Sequence, residues 1–315
     1  MRETQAQTVQ VTPLSDDLAF LDITTDWDLT TAYHDWRAAI VVPQTFRPNP
    51  VTPRIIAVAN QKGGVGKTLT AFELAMALVA RGLRVRLVDA DPQMAALSAW
   101  LIACFPEGKD KPWTLTDVLF ERCTLADATY PTPYVGLYTV VSGPDLGEVE
   151  NSREKPPGVE SLLQYHLSTT DDEFDVTIID SGPTLGLPTV ASLVAAHDVV
   201  IPVQAASGLD VKGAAALMRT INQVKGRLNP QLRIAATVLT DFEKSSLSRT
   251  IGSEMMKAFP GALVVPARSS VRVGEAQLAM EPLRLFRPGT STTLDYDLAA
   301  ALLIGATVPA QRTAG

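Results

Sequence analysis

From residue 54 onward, the chain alternates short continuous apolar runs with longer stretches in which apolar residues recur at helical spacing. Seven such runs occur, at 55–60, 85–91, 137–142, 174–180, 199–203, 234–239 and 262–266. Continuous runs rich in β-branched residues are typical of strands that are covered on both faces. Between the first two runs, Leu69, Phe72 and Val79 recur at helical spacing and Gly82 follows as a stop. This alternation predicts a doubly wound α/β fold around a mostly parallel sheet.

Residues 1–53 follow a different pattern. They carry seven Asp or Glu against three Arg, and four prolines lie between residues 43 and 53. Proline at this density favours an extended linker, and residues 29–40 could form a short helix before it. We therefore divide the chain into an acidic N-terminal extension with a proline-rich linker (1–53) and a globular domain (54–315). The extension could bind a partner, shield a basic surface or be a weakly ordered tail.

The composition is that of a soluble globular protein. Of 315 residues, 46% are hydrophobic and 19% are charged, and no apolar stretch approaches the length of a membrane span. The first ten residues lack the apolar core of a signal peptide, which favours a cytoplasmic protein. The two cysteines, Cys104 and Cys123, lie in no CxxC pair, so we expect no metal–sulfur site.

The charges are unevenly distributed along the chain. The net charge is −7, yet residues 219–287 carry eight Arg and three Lys against five acidic residues, a local charge of +6. Such asymmetry can place one basic face on an acidic protein. The alternative is that these are scattered, solvated charges.

The first apolar run leads directly into KGGVGKT, residues 62–68, and a helical pattern follows at once. This is the arrangement that a phosphate-binding loop needs, because glycines let backbone N–H groups turn toward phosphate oxygens and the helix N-terminus adds positive potential. By this pattern Lys67 reaches the β- and γ-phosphates and the Thr68 hydroxyl binds Mg²⁺. The other nucleotide-binding positions are Gly63, Gly64, Val65, Gly66 and Leu69. The strict pattern places Gly at position 61, where this chain has Gln61.

Two later strands end in carboxylates. Asp91 lies in Asp89-Ala90-Asp91-Pro92-Gln93, and Asp180 ends the run Val176–Asp180. An apolar strand that ends in Asp is typical of the residue that holds Mg²⁺ through water beside a phosphate loop, and we assign that part to Asp180.

The loop KGGVGKT, the DADPQ element and the VTIID strand together resemble the deviant Walker A motif family of ParA/MinD ATPases, and the likeness extends over about residues 54–303. The chain departs from the family at Leu69, where Thr or Ser is common, and at Ser181-Gly182-Pro183, where two prolines usually follow one residue. The resemblance implies an Mg²⁺-dependent ATPase in which Lys62 crosses a nucleotide-sandwich homodimer to the partner's phosphates. It also implies that Asp91 orients or deprotonates the attacking water, and that the base rests near Pro266 and Arg268.

Within that family, the chain is most similar to ParA-type partition ATPases. Its C-terminus lacks the basic membrane helix of MinD-like proteins, and its cysteines do not suit an iron–sulfur cluster. The resemblance implies an ATP-bound dimer that holds non-specific DNA, a centromere-binding ParB-like partner, plasmid or chromosome partitioning as the task, and association with the nucleoid in the cytoplasm. The candidate DNA contacts are Arg219, Lys244, Arg249, Lys257, Arg268 and Arg272.

Two alternatives remain open. One is a related ATPase that positions a protein assembly or serves DNA transfer. The other is a small-molecule ligase on the same fold, similar to dethiobiotin synthetase, which would need a pocket for a second substrate.

Overall fold

The computed structural model describes residues 48–49, 53–93, 97, 112–143, 145–169, 173–206 and 211–305. The short helix predicted at 29–40, Cys104 and the C-terminal residues 306–315 lie outside the described residues. The division of the chain at residue 53 stays a prediction.

All seven predicted apolar runs form strands of one sheet. Its strands are β1 (Arg54–Val58), β2 (Val85–Ala90), β3 (Tyr130–Pro131), β4 (Leu137–Val140), β5 (Val176–Ser181), β6 (Asp198–Gln204), β7 (Arg233–Phe242) and β8 (Leu263–Arg268). The order is β3-β4-β2-β5-β1-β6-β7-β8. Every pairing is parallel except that of β3 with β4. The two-residue β3 has no apolar run of its own, so the sequence pattern did not predict it.

Helices connect the strands and cover both faces of the sheet. They are α1 (Lys67–Val79), α2 (Leu115–Leu119), α3 (Val159–Thr169), α4 (Leu187–Ala195), α5 (Val211–Arg227), α6 (Ser246–Ala258), α7 (Val271–Ala279), α8 (Leu283–Phe286) and α9 (Ser291–Ile304). Parallel strands joined through helices are the arrangement that the alternating pattern predicted.

The side chains of the central strand alternate between two cores, as the twofold period of a strand requires. Ile55 and Ala57 of β1 face the core that α4, α5 and α6 cover, whereas Ile56 and Val58 face the core beneath α1 and α9. Because both faces are buried, the run is continuously apolar rather than alternating.

Helix α9 packs against α1, the helix that follows the phosphate loop. The hydroxyls of Tyr296 and Thr70 lie 3.0 Å apart, and both side chains are buried. Glu73 of α1 is also buried, and its Oε1 accepts a hydrogen bond of 2.8 Å from the backbone N–H of Leu283. Burial raises the pKa of Glu73 to about 7.

At the amino ends of the central strands, one buried carboxylate joins two arginines. Asp198, the first residue of β6, forms ion pairs with Arg54 of β1 and Arg233 of β7. Arg54 also donates to the carbonyl oxygen of Leu303 in α9. These contacts tie β1, β6, β7 and the last helix together at the end of the sheet opposite the phosphate loop. Among the described residues, no helix is long and apolar enough to cross a membrane.

Candidate nucleotide site

The phosphate loop lies between the carboxyl end of β1 and the first turn of α1. Gly64 and Gly66 have φ angles of 71° and 81°, which side chains with a Cβ rarely adopt. A Cβ on Gly66 would also lie 3.2 Å from Cγ2 of Thr240. Glycine at position 66 therefore serves both the turn and the close approach of β7.

Two neighbouring strands hold the loop in place. The Thr240 hydroxyl donates to the carbonyl oxygen of Val65 at 3.0 Å. Asn60 donates through Nδ2 to the carbonyl oxygen of Pro202 at 2.6 Å, and its Oδ1 accepts from the backbone N–H of Lys62 at 3.1 Å. Neither support was predicted from the sequence. Thr240 directly follows the apolar run 234–239, which predicts only a buried strand, so no local signal marks it.

Lys67 is held in the loop with only 7% of its surface exposed. Its Nζ donates to the carbonyl oxygen of Lys62 at 3.0 Å. Burial lowers the pKa of Lys67, while the charges of Asp180 and Asp91 raise it. Lys67 of the loop and the two predicted strand-end carboxylates, Asp91 and Asp180, are therefore close enough to interact electrostatically.

Asp180 is buried at the end of β5. Neither of its carboxylate oxygens has a hydrogen-bond partner of ordinary geometry within the described residues. Burial raises the pKa of Asp180 well above its usual value, and the charge of Asp89 adds to this, while Thr68 and Lys67 oppose it. Asp89 of β2 is the register partner of Asp180, and no role for Asp89 was predicted from the sequence.

These residues fit a magnesium ion. A buried, unpartnered carboxylate beside a second carboxylate is costly, and a divalent cation would reverse that cost. Thr68 and Asp180 supply the oxygen donors that Mg²⁺ prefers. The structure thus brings together the two residues that the sequence assigned to the metal.

Asp91 follows β2 and faces the residue after the last residue of β5. Its backbone N–H donates to Oδ1 of Asp89 at 3.0 Å, and its carbonyl oxygen accepts from the Ser142 hydroxyl at 2.9 Å. A Cβ on Gly182 would lie 2.9 Å from Oδ1 of Asp91. The glycine at which the chain departs from the family pattern is therefore the residue that makes room for this carboxylate.

Arg268, the last residue of β8, forms an ion pair and a hydrogen bond with residues of the last helix, α9. Its guanidinium forms a forked ion pair with Asp295, with Nε–Oδ2 and Nη2–Oδ1 distances of 2.9 and 2.7 Å, and Nη2 also donates to the carbonyl oxygen of Ser291. These contacts favour a structural role for this side chain over a DNA contact. The part of Pro266 and Arg268 in holding the base stays a prediction.

The other candidate DNA contacts differ in their surroundings. Among the described residues, Arg219 and Lys244 are exposed and form no ion pair. Lys257 pairs with Glu254 and Arg272 with Glu275, each three residues along the same helix. Such exposed pairs are weak and can give way to a phosphate. Arg249 is half-buried, with Nε 3.4 Å from the carbonyl oxygen of Ser245.

A glycine-rich loop at a helix N-terminus, a buried lysine and carboxylates at neighbouring strand ends together define a P-loop nucleotide triphosphatase. Comparison with known proteins narrows this class. Residues 53–234 match the family model described as an AAA domain. The chain is 35% identical over 244 residues to the chromosome partitioning protein ParA of Caulobacter vibrioides. This alignment covers 76% of this chain and 88% of that protein. The chain therefore belongs to the ParA/MinD family of P-loop ATPases.

Solved structures share the fold. One is the cobyrinic acid a,c-diamide synthase of Mycobacterium smegmatis with an ATP analogue and magnesium, at 29% identity, a TM-score of 0.64, and coverage of 79% of this chain and 93% of that one. Another is the ATP complex of Cyanothece McdA carrying the D38A substitution, at 22% identity, a TM-score of 0.70, and coverage of 82% and 98%. The second likeness shows the fold alone.

Proposed function

We propose that this protein is an ATP-dependent dimerising switch that binds non-specific DNA and drives plasmid or chromosome partitioning. The observation that carries the proposal is Lys62, which lies in the phosphate loop next to Lys67, in a chain 35% identical to a chromosome partitioning protein. A second lysine in the loop is not needed to hold one nucleotide, but it suits a loop that also faces a partner's phosphates.

The chemistry follows from the site. Lys67 exchanges its contact with the Lys62 carbonyl for the β- and γ-phosphates of ATP. Thr68 and, through water, Asp180 would hold Mg²⁺, which would supply positive charge to neutralise the phosphates when bound. Asp91 orients or deprotonates the attacking water. The absence of a side chain at Gly182 leaves room for the Asp91 carboxylate, and the Asp91 backbone N–H donates to Oδ1 of Asp89. Hydrolysis ends the bridge between protomers.

Dimerisation gates DNA binding because two weak basic surfaces act together only in the dimer. Contacts of Lys and Arg with backbone phosphates need no base sequence and weaken steeply with salt. Arg219 and Lys244 are the strongest candidates, since both are exposed and neither is in an ion pair within the described part of the chain. We infer a ParB-like partner that stimulates hydrolysis, and association with the nucleoid in the cytoplasm.

The test is DNA binding by the purified protein with ATP, with ADP and without nucleotide, at two salt concentrations. We expect salt-sensitive, sequence-independent binding with ATP alone. Lys67→Ala, which removes the phosphate contact, should lose ATP-dependent binding. Equal DNA affinity in all nucleotide states, or in Lys67→Ala and wild type, would exclude the gating.

A second function is an ATP-dependent amide-forming ligase, which the likeness to the cobyrinic acid a,c-diamide synthase favours. It predicts ATP turnover that depends on a carboxylic acid substrate, with no effect of DNA. An ATPase that positions a protein assembly or serves DNA transfer is the third reading, and stimulation by a protein partner without DNA would support it.

A further inference from the structure

A groove of about 360 Å³ lies at the end of the sheet opposite the phosphate loop. Its floor and walls include Met218 and Ile221 of α5, Ile234 at the start of β7, and Phe259 after α6. Lys225 and Arg233 provide its charge, and no acidic residue among the described ones lines it. Ile221 and Phe259 are buried at the base of the groove, whereas Asn222, Lys225 and Pro260 are exposed along it.

The groove is separate from the nucleotide site. It contacts β7 at residues 233–235, whereas Thr240 of the same strand contacts the phosphate loop. Seven residues of strand from Arg233 to Thr240 span roughly 23 Å. A molecule in the groove would therefore not contact a nucleotide.

The N-terminal extension joins the domain beside this groove. Arg54, the first residue of β1, pairs with Asp198, and Asp198 pairs with the groove residue Arg233. Two arginines against one buried carboxylate leave a net positive charge here, to which Lys225 adds. Farther back along the chain, Pro48 lies against Gly305, just after α9, where a Cβ on Gly305 would be 3.0 Å from Cγ of Pro48. The chain thus reaches residue 48 at this same end of the sheet, beside the helix that covers the face opposite to α5 and α6, and the linker would cross the end of the sheet to reach the groove.

The extension has the complementary composition. Residues 14–36 contain six Asp and no Lys or Arg. They also contain large apolar side chains, among them Phe20, Ile23, Trp27 and Trp36. The twelve residues from 36 to 48 can span roughly 40 Å when extended, which exceeds the separation of neighbouring strands several times over.

We propose that residues 14–36 dock into this groove of their own chain. Their apolar side chains contact the half-buried Met218 and Ile234 and the exposed Pro260, and their aspartates face Lys225 and Arg233. Charge complementarity, the position at which the chain enters the sheet and the length of the linker favour this occupant over a second copy or another protein. The tether supplies a high local concentration, so that even a weak contact is populated.

The test places a photo-reactive amino acid at Asn222, an exposed groove residue, in the full-length protein. Light should cross-link it to peptides from residues 14–36. An equimolar mixture of isotopically light and heavy protein distinguishes a cross-link within one chain from a cross-link between two copies. Because the docking is within one chain, only light–light and heavy–heavy products are expected. Cross-links within 54–305 alone, mixed products or no product would overturn the proposal.

Charge reversal gives a matched pair of variants. Lys225→Glu should reduce the cross-link yield at least fivefold and raise amide exchange within residues 14–36. Arg227→Glu carries the same change in the same last turn of α5, but it does not line the groove, so its yield should match wild type. Equal yields from the two variants would overturn the proposal, and matching thermal melts would show that both variants are folded.

Discussion

Gly182 and Asp91 lie so close that a Cβ on the glycine would be 2.9 Å from Oδ1 of the carboxylate, with Pro92 Cδ at the same distance. Gly182 follows the last residue of β5 and Asp91 follows the last residue of β2, strands that are paired through Ala90 and Ser181. The absence of a side chain at Gly182 therefore allows the Asp91 carboxylate to occupy its position.

Gly182→Ala should displace Asp91 and lower the rate of ATP hydrolysis by about 10- to 100-fold, because small misplacements of catalytic groups have effects of this size. Nucleotide affinity should change little, since the phosphate loop is untouched. Steady-state turnover and nucleotide titration measure the two effects. Gly147→Ala is the control, since its Cβ would meet Cβ of Pro92 at 3.3 Å without meeting Asp91. Wild-type turnover in Gly182→Ala would contradict the assigned role.

Thr240→Val removes the hydrogen bond to Val65 but keeps the shape of the side chain. The loop carbonyl loses a partner worth about 1 kcal/mol, so ATP should bind roughly fivefold more weakly. The control is Thr237→Val in the same strand, which removes a comparable buried bond to the Leu263 carbonyl away from the loop. Nucleotide titration should separate the two variants, and equal affinities would show that the Thr240 contact does not support the loop.

Asp180→Asn should stabilise the nucleotide-free protein near neutral pH. Burial raises the pKa of Asp180, so its ionised form is unfavourable in the fold, and an amide removes that charge. The same variant should lose the additional thermal stabilisation that Mg²⁺ gives in the presence of ATP. Thermal melts with and without Mg²⁺ and ATP measure both. A lower melting temperature for the nucleotide-free variant, with Mg²⁺ still effective, would argue against a metal role.

Glu73 makes stability depend on pH. Its pKa is raised from 4.5 to about 7 by burial, so below about pH 4.5 the side chain is protonated in both the folded and unfolded states. As pH rises from 4.5 to 7, the unfolded chain releases this proton first and the fold loses on the order of 3 kcal/mol, with no further change above.

Glu73→Gln keeps an acceptor for the Leu283 N–H without the titration. Chemical unfolding across this range should show wild type losing stability relative to the variant. The exposed Glu281 provides the control, because Glu281→Gln should run parallel to wild type. Parallel profiles for Glu73→Gln as well would mean that Glu73 does not titrate as described.

The sequence predicted the parts of the fold and site that local pattern encodes. Buried strands of a parallel sheet are apolar throughout, so each run could be found, and the loop at 62–68 and Asp180 could be placed at strand ends. The edge strand β3 is too short to leave a pattern. The contacts of Thr240 and Asp89 with the site depend on which strands are neighbours in the sheet. That order cannot be predicted from any single segment of the sequence.

The basic segment shows a second limit of sequence reasoning. A local charge of +6 in residues 219–287 says nothing about which side chains are engaged. Arg268 is paired with Asp295 and Arg233 with Asp198, while Lys244 is exposed on the surface. Only the folded structure separates arginines that hold helices in place from lysines that can meet a phosphate.

The most direct test of the switch compares wild type with Lys62→Ala at saturating ATP, in one sedimentation experiment that reports protein mass and bound DNA together. The account predicts a DNA-bound dimer for wild type. For Lys62→Ala it predicts a monomer that still binds ATP, because Lys67 keeps the phosphate contact, but does not bind DNA. A Lys62→Ala protein that dimerises and binds DNA as wild type does would contradict the account.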